Sequence, residues 1–242
     1  MVAELFGKQH LLYIAISTLV GGGGLFLANK KLKTERSKVI FLKCLAALLF
    51  IFIMGNRLSQ VFRYDNVRWY CIIPDSFCGM TSLVLALGVL LGKKNNNVLH
   101  FTWLLGLFGG VSTVIYATFL DQGPTIFYLP TITGLLHHSA SALLVVAILM
   151  FKYIDITYKK WQCTLFGFTA YLTLGAFMMQ TFDISDAFHI AEPLLPGTPL
   201  TAWVMAPMYA TAYAAILFVI EKYKNNKKWQ VIATFSFANA TS

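Results

Sequence analysis

Residues 131–151 read TITGLLHHSASALLVVAILMF. They contain no Asp, Glu, Lys or Arg. A hydrocarbon core of about 30 Å is crossed by roughly 20 apolar residues rising 1.5 Å each, so this stretch is long enough to span a bilayer. Its apolar residues run on without alternation, which predicts a helix rather than a strand of a membrane barrel. His137 and His138 lie in it, roughly 10 Å below its first boundary at helical rise. Ionisable groups at such depth are costly, so the stretch bears on function as well as fold.

Six further segments have the same character: residues 10–29, 39–57, 72–91, 98–120, 161–182 and 201–220. The expected fold is all-α, a polytopic membrane bundle of about seven transmembrane helices over residues 1–228, with a short C-terminal tail at 229–242. Composition agrees. Of 242 residues, 57% are hydrophobic and 12% charged, whereas soluble domains carry about a quarter charged residues. A core of this size cannot bury that much apolar surface, so lipid must solvate the excess. The net charge is +9, but the basic residues sit in clusters between apolar runs. They point to anionic headgroups at the cytoplasmic membrane face and not to nucleic acid. The first apolar run has no small-residue cleavage site before the next basic cluster, so no cleaved leader is expected.

The loops orient the bundle. Lys30, Lys31, Lys33, Arg36 and Lys38 follow the first span, Lys93 and Lys94 the third, and Lys152, Lys159 and Lys160 the fifth. Lys222, Lys224, Lys227 and Lys228 follow the seventh. The alternate loops carry Asp121, and then Asp183, Asp186 and Glu192, without Lys or Arg. The positive-inside rule puts the N-terminus outside and the C-terminus inside. Arg57, Arg63 and Arg68 fall on the expected outside, against that rule, which suggests a site that uses them. Lys43 can snorkel to the inner interface. His100 reads as structural, and His10 is uninformative alone. Gly21–Gly24 permit close helix contact in lipid. Trp69, Tyr70 and Trp203 suit an interfacial belt.

The four cysteines, Cys44, Cys71, Cys78 and Cys163, form no CxxC and no Cys/His metal spacing, so neither a disulfide framework nor a cofactor is expected. Cys78 lies roughly 9 Å below the outer boundary of its span, in the same layer as His138. A lone cysteine in a span usually packs as a small apolar residue. Beside a histidine that takes its proton, its thiolate is a nucleophile. Adjacent helical residues point about 100° apart, so one of His137 and His138 is expected to face the bundle centre. If the third helix is continuous, Cys71 and Cys78 stand about 10 Å apart, too far for a disulfide. Arg57, Tyr116, Gln180 and Tyr209 reach the same outer layer and, with His137, form the expected substrate-binding set. An arginine there could hold a phosphate or a carboxylate, or simply anchor at the interface.

The stretch Ile72-Ile73-Pro74-Asp75-Ser76-Phe77-Cys78-Gly79-Met80 resembles a Pro-x-x-(His)-Cys signature that opens the third span of the YwaF-type bacterial integral membrane proteins. Animal relatives of that family include a transmembrane acyltransferase of ether phospholipid metabolism. Leu136-His137-His138-Ser139-Ala140 is similar to the family's histidine before a small residue. Ala191–Leu200 is similar to the segment leading into its last span. The resemblance covers most of the chain. It implies that Cys78 accepts an acyl group and that His138 is the base. The chain departs from the pattern at Phe77, where many relatives carry His, and at Asp183 and the Phe188-His189 pair, where Asn and Tyr are common.

The function expected is a membrane-embedded Cys/His lipid acyltransferase acting on phospholipid acyl chains in the plasma membrane; with water as acceptor the same chemistry is a hydrolase. The alternative is a small-molecule transporter or a non-catalytic lipid-binding membrane protein. A sugar carrier of three-plus-one-plus-three design would use prolines inside its spans, and spans one, two and six have none. A retinal protein needs a lysine in its last span, and residues 201–220 hold none.

Overall fold

The computed structural model describes residues 6–63, 66–120, 123 and 125–224. Asp121, Lys227, Lys228 and the tail expected at 229–242 lie outside the described residues. Among the described residues the chain forms seven α-helices and no strand. They are α1 (Lys8–Lys31), α2 (Glu35–Val61), α3 (Phe77–Leu90), α4 (Asn97–Ile115), α5 (Leu129–Met150), α6 (Gln162–Phe182) and α7 (Ala202–Lys224). Six of them are long and apolar enough to cross a membrane. The protein is a polytopic helical bundle.

α3 is the exception. Its 14 residues reach about 21 Å, well short of the hydrocarbon core. The span expected at 72–91 is therefore broken near its outer end. A 3₁₀ turn, Trp69–Ile72, occupies that place, and extended chain follows it. The cause is local. Pro74 lacks an N–H and drives the residue before it out of the helical region, and Ile73 is indeed extended. Ser76 then starts a new helix by accepting the Gly79 N–H at 3.2 Å through its hydroxyl. The expected separation of Cys71 and Cys78 along one helix falls with the continuous span. Two other ends also shift. α2 continues past Arg57 to Val61, and α4 stops at Ile115, before a 3₁₀ turn at Ala117–Phe119.

α5 is the axis of the bundle. It packs against α1, α2, α3 and α4, and 56% of its most apolar window is buried, against 11% in α1 and 17% in α7. A helix surrounded on this many sides has no lipid face at its middle turns. That is why His137 and His138 are both buried, rather than one of the two. α6 packs on α4, and α7 on α6.

The α4–α5 contact is backbone-close. Gly106-Leu107-Phe108-Gly109-Gly110 carries two small residues one helical turn apart, the spacing that lets membrane helices touch. A Cβ on Gly110 would sit 2.6 Å from the His138 carbonyl oxygen, and one on Gly106 would sit 3.0 Å from Ser141 Oγ. Ser141 donates its hydroxyl to the Gly106 carbonyl at 3.2 Å. The glycine run in α1 behaves differently. Only Gly21 meets a neighbour, Leu143, while Gly22, Gly23 and Gly24 face open space.

Gly110→Ala is expected to destabilise the protein by about 1–3 kcal/mol, because the added methyl meets backbone rather than a movable side chain. Gly22→Ala is expected to leave stability unchanged or raise it by up to about 1 kcal/mol, through helix propensity alone. Thermal unfolding of the two variants in detergent checks the contrast.

Candidate functional site

The break before α3 creates a site at one end of the bundle, where Trp69–Ile72 and the extended chain after it meet α2. Backbone groups of the break that are buried against α2 need a partner in the protein. Arg57, at the outer end of α2 and only 8% exposed, provides one. Its Nε donates to the Cys71 carbonyl at 2.8 Å, and a terminal guanidinium nitrogen lies 3.3 Å from Asp75 Oδ1. The Asp75 carbonyl accepts the Phe188 N–H at 2.7 Å. Arg57 is thus occupied in holding the broken segment, which accounts for an arginine on the side where the loop charges argue against one. Asn56, one residue earlier, donates to the Pro130 carbonyl and to Thr133 Oγ1, each at 3.1 Å, tying α2 to the start of α5.

Cys78 is the second residue of α3, partly buried. The amides of the first helical turn have no intrahelical acceptor, and this end of the helix carries partial positive charge. Ser76 takes the Gly79 N–H; no acceptor meets those of Phe77 and Cys78 among the described residues. Cys78 points at α4, where a Cβ on Gly109 would lie 3.0 Å from its Sγ. The His138 ring lies within hydrogen-bonding reach of the same residue's backbone. Both residues thus neighbour Gly109: Cys78 fills the space that its missing side chain leaves, and His138 meets its backbone.

One turn further along α3 are Thr81 and Ser82. Ser82 Oγ is 3.3 Å from His137 Nδ1, and Thr81 Oγ1 is 3.4 Å from the Tyr171 hydroxyl on α6. The rings of His137 and His138 stack with centroids 4.1 Å apart. Above this layer lies the segment at 183–201. Phe188 and His189 both have left-handed backbone (φ 55° and 57°), which turns Phe188 inward. Its ring stacks on Tyr171 at 5.5 Å and lies 5.5 Å from Phe77. Gly175 makes the space, since a Cβ there would be 2.7 Å from Phe188 Cδ2. The two departures from the resembled pattern, Phe77 and Phe188, are thus packed on each other as an apolar cover.

The other expected residues lie elsewhere. Tyr116 is the exposed C-cap of α4, and Gln180 is exposed on α6. Tyr209 is wedged between Phe168 and Tyr213, with centroids at 5.4 and 6.1 Å, and its buried hydroxyl meets no hydrogen-bond partner. His10 bonds the Val114 carbonyl at 2.9 Å, and His100 bonds Asn95 Oδ1 at 2.8 Å, both packing roles. The four cysteines are free, and no cluster of three or more His, Cys, Asp or Glu suited to a metal occurs among the described residues. Gly109, Asp75, Ser82 and Thr81 escaped the sequence reading. The small-residue spacing at Gly106 and Gly110 was the available signal for the first; nothing marks the others, because their roles depend on which helix faces which.

Cys71 lies outside the helices beside Arg57. Burial pushes its thiol up from the ordinary value; Arg57 opposes this and the Asp75 carboxylate adds to it. Asp75→Asn removes one raising cause, so the Cys71 titration is expected to move to lower pH. Alkylation at a fixed pH below the midpoint should then quicken, on the order of a few-fold. Iodoacetamide rates against pH, in a chain with Cys44, Cys78 and Cys163 replaced by Ala, test this.

No curated protein and no solved structure matches the chain. The model of a family described as the TMEM164 family matches residues 5–221. Nearly the whole described bundle, from α1 to near the C-terminal end of α7, lies inside that match, and the chain belongs to the TMEM164 family.

Proposed function

We propose that this protein is a lipid acyltransferase working inside the membrane, with Cys78 as nucleophile and His138 as general base. The observation that carries the reading is that Cys78, at the start of α3, and His138 both neighbour Gly109. In the first half-reaction the Cys78 sulfur attacks the carbonyl carbon of a phospholipid ester while His138 takes the thiol proton. The tetrahedral oxyanion is met by the amides of Phe77 and Cys78, whose N–H groups are unspent. Collapse breaks the ester C–O bond, and the histidinium returns the proton to the departing lysolipid alkoxide. In the second half-reaction a lipid hydroxyl attacks the Cys78 thioester, gives its proton to His138, and the thiolate leaves and is reprotonated. Atoms and charge balance with no cofactor.

Arg57 and Asp75 are positioning residues in this scheme, holding the segment that sets where α3 starts. His137, bonded to Ser82, braces the His138 ring. Tyr116 and Gln180, both exposed, are assigned outer contacts to the lipid rather than roles at the sulfur, and Tyr209 a contact through its unpartnered hydroxyl. The similarity of residues 72–80 and 136–140 to YwaF-type proteins and their acyltransferase relatives supports the same chemistry. The loop charges favour a donor from the outer leaflet and anionic headgroups at the inner face, and we assign the protein to the plasma membrane.

Mass spectrometry of the purified, lipid-exposed protein is expected to find a hydroxylamine-labile acyl adduct on Cys78. Loss of a general base lowers a rate by about 10²–10⁴-fold, so His138→Ala should acylate slower by that order and Cys78→Ala not at all. Full acyl transfer by both variants would rule the mechanism out.

A further inference from the structure

α3, α4 and α6 enclose a lateral cleft of about 410 Å³, lined by Val84, Phe101, Cys163, Gly167, Ala170 and Tyr171, with Asn97 at its lower end. Its apolar walls face the lipid, and its lips are the exposed Phe166 and Val98. The cleft exists because Cys163 and Ala170, two turns apart on one face of α6, are too small to fill it. At Gly167 the helices approach so closely that a Cβ would lie 2.3 Å from the Phe101 ring. Tyr171 closes the upper end, with its hydroxyl on Thr81.

The lower end opens at the basic, cytoplasmic face. Lys160 stands there and donates to the Asn97 side-chain oxygen at 2.8 Å. It makes no ion pair among the described residues, whereas the nearby Asp155 is occupied by Lys224 at 3.0 Å. Lys159 adjoins it. The entrance is therefore cationic, with an uncompensated ammonium directly below an apolar trough.

We propose that this cleft binds one acyl chain of an anionic glycerophospholipid from the cytoplasmic leaflet, with the headgroup phosphate on Lys160 and the Asn97 side chain. The apolar trough takes the chain, and the ammonium favours an anionic head over a zwitterionic one. Because Tyr171 separates the trough from α3's outer end, the lipid is a resident of the bundle and not a substrate delivered to Cys78. The site stands independently of the acyl-transfer reading.

The full chain in nanodiscs of phosphatidylcholine, doped with phosphatidylserine carrying a diazirine in mid-chain, tests it. Irradiation followed by peptide mapping is expected to concentrate adducts on residues 97–101 and 163–171. Unlabelled phosphatidylserine should compete better than phosphatidylcholine. Ala170→Trp, at a lipid-facing position that can hold the larger ring, should abolish the enrichment. Lys160→Glu should lower phosphatidylserine labelling at least about five-fold, the equivalent of about 1 kcal/mol per charge near an anionic surface, and leave phosphatidylcholine labelling unchanged. Adducts spread evenly over the exposed faces of α1 and α7, or enrichment indifferent to Ala170→Trp in a protein that melts like wild type, would overturn the site. Equal competition by the two lipids together with no effect of Lys160→Glu would overturn the anionic headgroup.

Discussion

A break in a membrane helix leaves backbone N–H and C=O groups in hydrocarbon, where each unsatisfied one costs several kcal/mol. This bundle meets that constraint at the outer end of its third span. Arg57 caps the Cys71 carbonyl and pairs with Asp75, and Phe188 donates its N–H to the Asp75 carbonyl. Helix α2 and the segment before α7 are thereby tied to one short stretch of extended chain. Everything about the candidate site follows from that stretch being held. It sets where α3 starts, and so puts Cys78 at a helix N-terminus below the membrane surface rather than in the middle of a continuous span.

The second constraint is steric. α4 and α5 approach until only glycine fits at positions 106 and 110, and the gap at Gly109 receives Cys78. Membrane helices gain nothing from hiding apolar surface from lipid, so close van der Waals contact and interhelical hydrogen bonds must supply the association. The Ser141–Gly106 bond is of that kind. The same packing that holds α5 at the centre of the bundle also buries both histidines, and stability and chemistry here share one interface.

The peripheral helices work under looser rules. α1 touches α5 through Gly21, and the glycines after it contact nothing. α6 and α7 are attached through aromatic rings, Phe101, Phe168, Tyr171 and Tyr209 among them. Incomplete filling between α3, α4 and α6 leaves the basic-mouthed cleft, and the inward turn at Phe188 packs its ring over Phe77 and Tyr171.

The sequence by itself determined the class of fold and the six helices long and apolar enough to span. These depend on length, apolarity and a fixed rise per residue, all local quantities. It also contained the signal for the α4–α5 contact in the spacing of Gly106 and Gly110, and Pro74 with Ser76 explains the broken third span once the break is seen. Tertiary structure alone decided that Arg57 is spent on Cys71 and Asp75, that both histidines are buried, that Ser82 meets His137, and that Tyr116 and Gln180 lie away from the sulfur. Which helix faces which depends on packing between segments far apart in the chain, and no periodicity within a single span encodes it.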